Sequence, residues 1–152
     1  NTIMKYIARK HNSDFYPTDI VAQANVDMCL DFITIHVGNG FGKVIFNKIL
    51  APVIDAKVDE QSMQDGYGFI TRFLGVIDQQ LAKSTYIAGE ELSIADFCLL
   101  GTVDPAEAIE VDISEYPHLA AWRNKLMAED FYKKAHNSYQ ETLNAMMGAM
   151  TE

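Results

Sequence analysis

The sequence predicts an all-helical bundle, and two observations carry that prediction. Apolar side chains fall at Met63, Tyr67, Ile70, Leu74, Ile77 and Leu81 in alternating steps of four and three, the spacing of one face of an α-helix. No window alternates with period two for long enough to make a strand. At 152 residues, 49% hydrophobic and 22% charged, the chain has material for one domain with its own core.

The elements follow in order. Residues 3 to 11 form a short helical segment that ends in Arg9-Lys10-His11, a basic run suited to the negative end of a helix. Pro17 is placed at the first turn of the next helix, and Asp19 sets a negative charge at its positive end. That helix runs to about Val37, with Val21, Ala24, Met28, Phe32 and Ile35 on one side. The Gly38-Asn39-Gly40-Phe41-Gly42 stretch is expected to break or bend it, Lys43 to Leu50 to resume a turn or two, and Pro52 follows. The apolar stripe from residue 59 onward passes straight through Gly66, Gly68 and Gly75. Each glycine costs a helix about 1 kcal/mol against alanine, so all three are expected at close helix–helix contacts. Helices over Ser93 to about Ile109, Pro117 to Ala128 and Asp130 to Met147 complete the set.

Ser93-Ile94-Ala95-Asp96 is the strongest local signal. Ser93 can accept from the Asp96 N–H while the Asp96 carboxylate reaches back to the Ser93 N–H, the acidic form of a capping box, with Leu92 and Phe97 at the staple positions. A nucleophilic Ser93 would need a base and an oxyanion site, and nothing nearby suggests either.

Charge and composition exclude several functions. A net charge of −9 repels nucleic-acid phosphates and anionic membranes alike, so neither is expected as a partner. Cys29 and Cys98 sit in apolar periodic segments, unlike a disulfide framework or a zinc site. His11, His36, His118 and His136 lack metal-ligand spacing, so no metal is expected. Gly38-x-Gly40-x-Gly42 fails as a phosphate loop, because no strand precedes it and no Lys-Ser/Thr follows. Between Lys83 and Arg123 stand eight acids and no Lys or Arg, read as a solvated face with a docking surface for a basic partner as the sharper option.

Three segments carry a resemblance. Tyr86-Ile87-Ala88-Gly89-Glu90-Glu91-Leu92-Ser93-Ile94-Ala95-Asp96-Phe97 resembles the segment bearing the capping box and staple in the C-terminal domain of glutathione S-transferases. Tyr116-Pro117-His118-Leu119-Ala120-Ala121-Trp122-Arg123 resembles the Pro-x-x-x-x-Trp helix of that family. Ile3-Met4-Lys5-Tyr6-Ile7-Ala8 resembles the end of the helix leading into its interdomain linker. The matches lie in order and cover nearly the whole chain.

The resemblance implies a helical domain of the glutathione S-transferase C-terminal type over residues 1–152. Residues 1–11 would end a helix leading out of a thioredoxin-like domain upstream, and 17–152 would form the bundle. The upstream domain would hold glutathione as co-substrate and favour its thiolate, since a free thiol titrates near about 8.5; this chain would orient a small hydrophobic electrophile. By the same resemblance the parent is a cytoplasmic, homodimeric transferase that conjugates or reduces electrophiles in detoxification. No catalytic residue is expected in this chain, so alone it is expected to be inactive. A non-catalytic binding or scaffolding protein on the same fold is the alternative.

Leu30-Asp31-Phe32-Ile33-Thr34-Ile35-His36-Val37-Gly38-Asn39-Gly40-Phe41 resembles the bacterial beta-class pattern Leu-Asn-Phe-Ile-Ala-Thr-Glu-Leu-His-Lys-Gly-Phe. Asp31 matches an asparagine that touches glutathione in that class, and a carboxylate there suits the α-ammonium of the ligand. His36 stands in place of a glutamate, and Gly38 and Asn39 in place of a His-Lys pair beside the substrate, so the subclass stays open. Asp27, Asp31, Ile35 and Gly38 follow steps of four, four and three and share a helix face. The candidate glutathione contacts are therefore Asp31 and Asp27, and the candidate electrophile contacts are Ile35, His36, Gly38 and Asn39.

Overall fold

The computed structural model describes residues 1–136 and is helical, with no strand among the described residues and one isolated bridge between Tyr86 and Gly89. Helix α1 spans Thr2–Lys10 and α2 Ile20–Val53. Helix α3 spans Glu60–Leu81, α4 Ile94–Val103, α5 Pro117–Met127 and α6 Asp130–Ala135. Two short 3₁₀ turns, Glu107–Ile109 and Ile113–Glu115, join α4 to α5. The helix expected over Asp130 to Met147 ends at Ala135, where His136 is extended, and the residues of that expectation beyond 136 lie outside the described residues.

Helix α2 differs from expectation at both of its predicted irregularities. Pro17 lies ahead of the helix, and Asp19 is the N-cap itself, accepting from the N–H groups of Val21 and Ala22 at 3.1 and 2.9 Å. The Gly38–Gly42 stretch does not break the helix. Instead the chain widens into π-helical turns at Ile33–Val37 and Phe46–Leu50, where Gly38 N–H reaches back to the Ile33 carbonyl and Ala51 N–H to that of Phe46. Packing at Gly40 is the reason this stretch stays helical. A Cβ on Gly40 would meet the Ile70 backbone nitrogen at 3.1 Å, and one on Gly66 would meet the Gly40 carbonyl at 3.0 Å and Val44 Cγ2 at 2.8 Å. Backbone touches backbone where α2 crosses α3, and that contact outweighs the helix propensity lost. Gly68 and Gly75, by contrast, face open space: a Cβ on either would have no neighbour within 4 Å, so they are not the close contacts their position on the stripe suggests.

The core is one cluster. Leu30, Ile33, Val37, Phe41 and Val44 of α2 meet Ile70, Leu74 and Ile77 of α3 and Leu99 and Val103 of α4, all essentially buried. By length and composition alone α2 is apolar enough to cross a membrane. Its buried stripe, however, forms the centre of the bundle.

The capping box is present and does more than cap. The expected pair is there, the Ser93 side chain accepting from the Asp96 N–H and Asp96 accepting from Ser93 N–H at 2.9 Å, and Ser93 Oγ also accepts from Ala95 N–H at 3.3 Å. Asp96 is fully buried and also takes Ile87 N–H, Ser93 Oγ–H and the Trp122 indole N–H, each at 3.0 Å. One carboxylate thus joins the 86–93 loop, α4 and α5. Leu92 and Phe97 are half-buried against the core, and the Phe97 ring stands edge-on to both Phe15 and Phe131. A second acid acts across the fold: Asp78 of α3 accepts from His118 and Leu119 N–H at 2.7 and 2.9 Å and so caps α5 from another helix.

Candidate functional site

Helix α1 lies along α2, and the residues between them define the candidate site. Asn1 Nδ2 donates to Thr34 Oγ1 at 2.8 Å and to the Leu30 carbonyl at 3.4 Å. Nearer the start of α2, Lys5 Nζ sits 2.9 Å from Asp27 Oδ1. The hydroxyl of buried Tyr16 donates to the two Asp27 oxygens at 3.0 and 3.1 Å. Arg9 donates to that same Tyr16 oxygen at 3.4 Å and places its guanidinium 5.0 Å from the centre of the ring.

These contacts set the local electrostatics. Burial pushes the Asp27 carboxyl up, but the Lys5 ammonium and the Tyr16 hydroxyl outweigh it and hold it below the ordinary carboxylate range. The Asp27 hydrogen bond is the main reason Lys5 is raised, against the effect of burial. Tyr16 is raised first by burial and then by its bond to Asp27. The Asp31 charge, one turn further along α2, also favours the Lys5 ammonium.

The structure thus brings Asp27 and Asp31 together beside Lys5 and leaves Asp31 exposed. Ile35 is 60% exposed and Asn39 is exposed on the same helix. His36 takes a different position. Its ring stacks on Phe73 of α3 at 4.6 Å and stands edge-on to Phe32 at 5.0 Å, so it belongs to an aromatic seam between α2 and α3 that Phe69 extends. Gly38 is half-buried and accommodates the π turn, since a Cβ there would stand 3.3 Å from the Ile33 carbonyl. Lys5, Tyr16 and Asn1 carry no signal in the sequence, because they meet α2 from 22, 11 and 33 residues away, as their contacts with Asp27 and Thr34 show.

Among the described residues no group of three or more His, Cys, Asp or Glu is placed to hold a metal ion. Cys29 donates to the Ile87 carbonyl at 3.4 Å, and burial pushes its thiol up to about 11, so at neutral pH it is a protonated donor and no nucleophile. Burial also raises Cys98. The acidic run is largely absorbed by local partners. Asp96 is the buried hub, Asp104 accepts from Tyr132, Glu107 pairs with Arg123, Glu110 sits 2.7 Å from Lys48, and Asp112 caps the Ser114 N–H. Glu90 accepts from the Thr85 hydroxyl at 2.6 Å, and it and Glu91 border a cleft of about 680 Å³ that Asp14 and Asp19 also line.

The model of the glutathione S-transferase, C-terminal domain family matches residues 43–130, more than half of the chain. The chain belongs to that family. As a glutathione S-transferase C-terminal domain it is similar to glutathione S-transferase 1 of Manduca sexta, 33% identical over an alignment of 144 positions that covers 88% of this chain and 60% of the relative. It is likewise similar to glutathione S-transferase theta-2 of Rattus norvegicus, 26% identical over 93% of this chain and 61% of that protein. The fold matches a delta-class glutathione transferase of Nilaparvata lugens with a TM-score of 0.80 and 28% identity, covering 98% of this chain and 68% of the other. An epsilon-class enzyme from the housefly, Musca domestica, superposes with a TM-score of 0.74 and 29% identity over 98% and 67%. The chain therefore spans about three fifths of the length of these two sequence relatives. Delta, epsilon and theta are the classes named among these relatives, so the beta-like pattern over 30–41 does not set the subclass.

Proposed function

We propose that this chain is the electrophile-binding half of a glutathione transferase whose full-length form joins glutathione to small hydrophobic electrophiles, or reduces them with it. Family membership supports the fold, and one observation supports the placement: Asp31 stands exposed on α2 beside Lys5, where α1 enters the bundle. In this reading Asp31 pairs with the α-ammonium of glutathione, and Ile35, Gly38 and Asn39 border the electrophile. His36 contributes through the aromatic seam at the edge of that region. The group that favours the thiolate belongs to a thioredoxin-like part upstream, and the helical half orients the electrophile and excludes water.

Two exposed apolar surfaces fit the assembly. On α1, Ile3, Tyr6 and Ile7 are 74%, 62% and 50% exposed while Ala8 is buried, so the helix shows solvent its apolar face, as expected where an upstream domain packs. On α3, Phe69 and Val76 are exposed on one face beside the seam of Phe32, His36 and Phe73. That patch suits a two-fold contact with a second copy, giving a homodimer. A cytoplasmic location accords with this reading.

The test uses the full-length protein on immobilised glutathione, followed by turnover of a chromogenic aryl halide. Retention and turnover are expected, with Asp31→Ala weakening retention while the helical content stays unchanged. Absence of both retention and turnover in the unaltered protein overturns the reading.

A further inference from the structure

We propose that Asp27 is a positioning residue: through Lys5 and Tyr16 it fixes the register of α1 on α2, and with it the placement of whatever precedes α1. The inference rests on the proposed transferase reading only for its catalytic consequence. Its geometric content stands on the α1–α2 contacts.

Helix α1 meets the bundle with few apolar groups. Ala8 is buried and Met4 is packed against the core, whereas Ile3, Tyr6 and Ile7 point away. Contacts of that kind are non-directional, so they hold α1 down without choosing its rotation or its position along α2. The polar contacts are directional, and they occur at two separated points. Asn1 grips Thr34 and Leu30 at one end of α1. Lys5 and Tyr16 converge on Asp27 seven residues earlier in α2, with Arg9 bonded to the Tyr16 oxygen behind them. Two fixed points determine a line, so this pairing sets both slide and tilt.

Asp27 of α2 is the centre of the second point, because Lys5 of α1 and Tyr16, in the connection between the helices, both converge on its carboxylate. Its two oxygens are engaged by Tyr16 and Lys5, and a ligand ammonium arriving there would have to displace Lys5. Asp31 carries no such load and is open. The two carboxylates therefore divide the work: Asp31 faces ligand, and Asp27 sets the frame in which that ligand meets the bundle. A misplacement of about 1 Å between reacting groups can cost on the order of a hundredfold in rate, so a frame residue registers in turnover before it registers in binding.

The experiment compares Asp27→Asn, Lys5→Met, the double variant and the charge swap Lys5→Asp/Asp27→Lys in the full-length protein. Each single variant is expected to lower kcat by about tenfold or more with the glutathione KM unchanged. The double variant should be no worse than either single, and the swap should recover most of the loss. Amide exchange over residues 2–10 should speed by up to about fivefold in each single variant and return in the swap. This exchange arm reads the frame even if the protein turns out not to use glutathione, so failure of the transferase reading is separable from failure of the positioning role. A raised glutathione KM in Asp27→Asn with a silent Lys5→Met would make Asp27 a ligand and overturn the proposal. Unchanged exchange in both singles would overturn it equally.

Discussion

Asp96 and Asp27 are both aspartates engaged by more than one donor, yet they sit in opposite environments. Asp96 has no exposed surface and collects two backbone N–H groups, a hydroxyl and an indole N–H, from Ile87, Ser93 and Trp122. Asp27 keeps 38% of its side chain exposed and holds an ammonium and a phenol. Away from water, every donor around Asp96 loses its only partner if the carboxylate goes, so the residue is a structural nail. Near water, Lys5 recovers solvent when Asp27 goes and the buried Tyr16 hydroxyl keeps Arg9 as a partner, so the contact contributes direction more than stability.

That contrast can be tested at three strengths. The largest effect is expected for Asp96→Ala, a loss of about 3–5 kcal/mol in chemical denaturation, because buried donors from three segments are left unpaired. A loss below about 1 kcal/mol would dissolve the contrast, since it would place Asp96 with the exposed carboxylates. A middle effect applies the same logic to glycines. Gly66→Ala should cost about 1–3 kcal/mol by thrusting a methyl group against Val44 and the Gly40 carbonyl. Gly75→Ala, with open space around it, should instead stabilise by up to about 1 kcal/mol in the same denaturation series. The smallest effect belongs to Asp27→Asn, within about 1 kcal/mol because the pair is solvent-screened. Its pH dependence has a definite sign. The folded-state value of Asp27 is held below the ordinary 3.8, so its contribution is present above 3.8 and is lost as the pH falls through the folded value. Stability curves of the unaltered chain and the Asn variant should therefore differ at neutral pH and converge in acid, and curves that stay parallel to the lowest pH would show that the Lys5 contact does not persist in solution.

Legibility follows the reach of each interaction along the chain. The α3 stripe from Met63 to Leu81 and the Ser93–Asp96 box are readable because each is complete within a turn or a helix. The Gly38–Gly42 stretch reads as a break or a bend, and the helix continues through it with a π turn on either side. Local propensity is worth about 1 kcal/mol per glycine, and the cross-helix contact of Gly40 with Gly66, invisible in the local sequence, decides against it. Gly68 and Gly75 mislead in the opposite direction, since a glycine in a helix does not announce whether a neighbour approaches. At the candidate site, the shared face of Asp27 and Asp31 is visible in the sequence, but the Lys5 and Tyr16 partners that distinguish them are not. The stacking of His36 on Phe73 of α3 is likewise absent from the local sequence.

What the sequence by itself determined is the helical class, most helix starts and the family, because periodicity, caps and motif spacing are local properties of the chain. What only the tertiary structure decided is the role of individual residues: which glycine touches backbone, which aspartate is a nail and which a guide, and that Asp78 caps a helix 40 residues away. Those roles depend on burial and on donors brought from distant segments, and a carboxylate or a glycine carries no mark of its surroundings until the chain has packed.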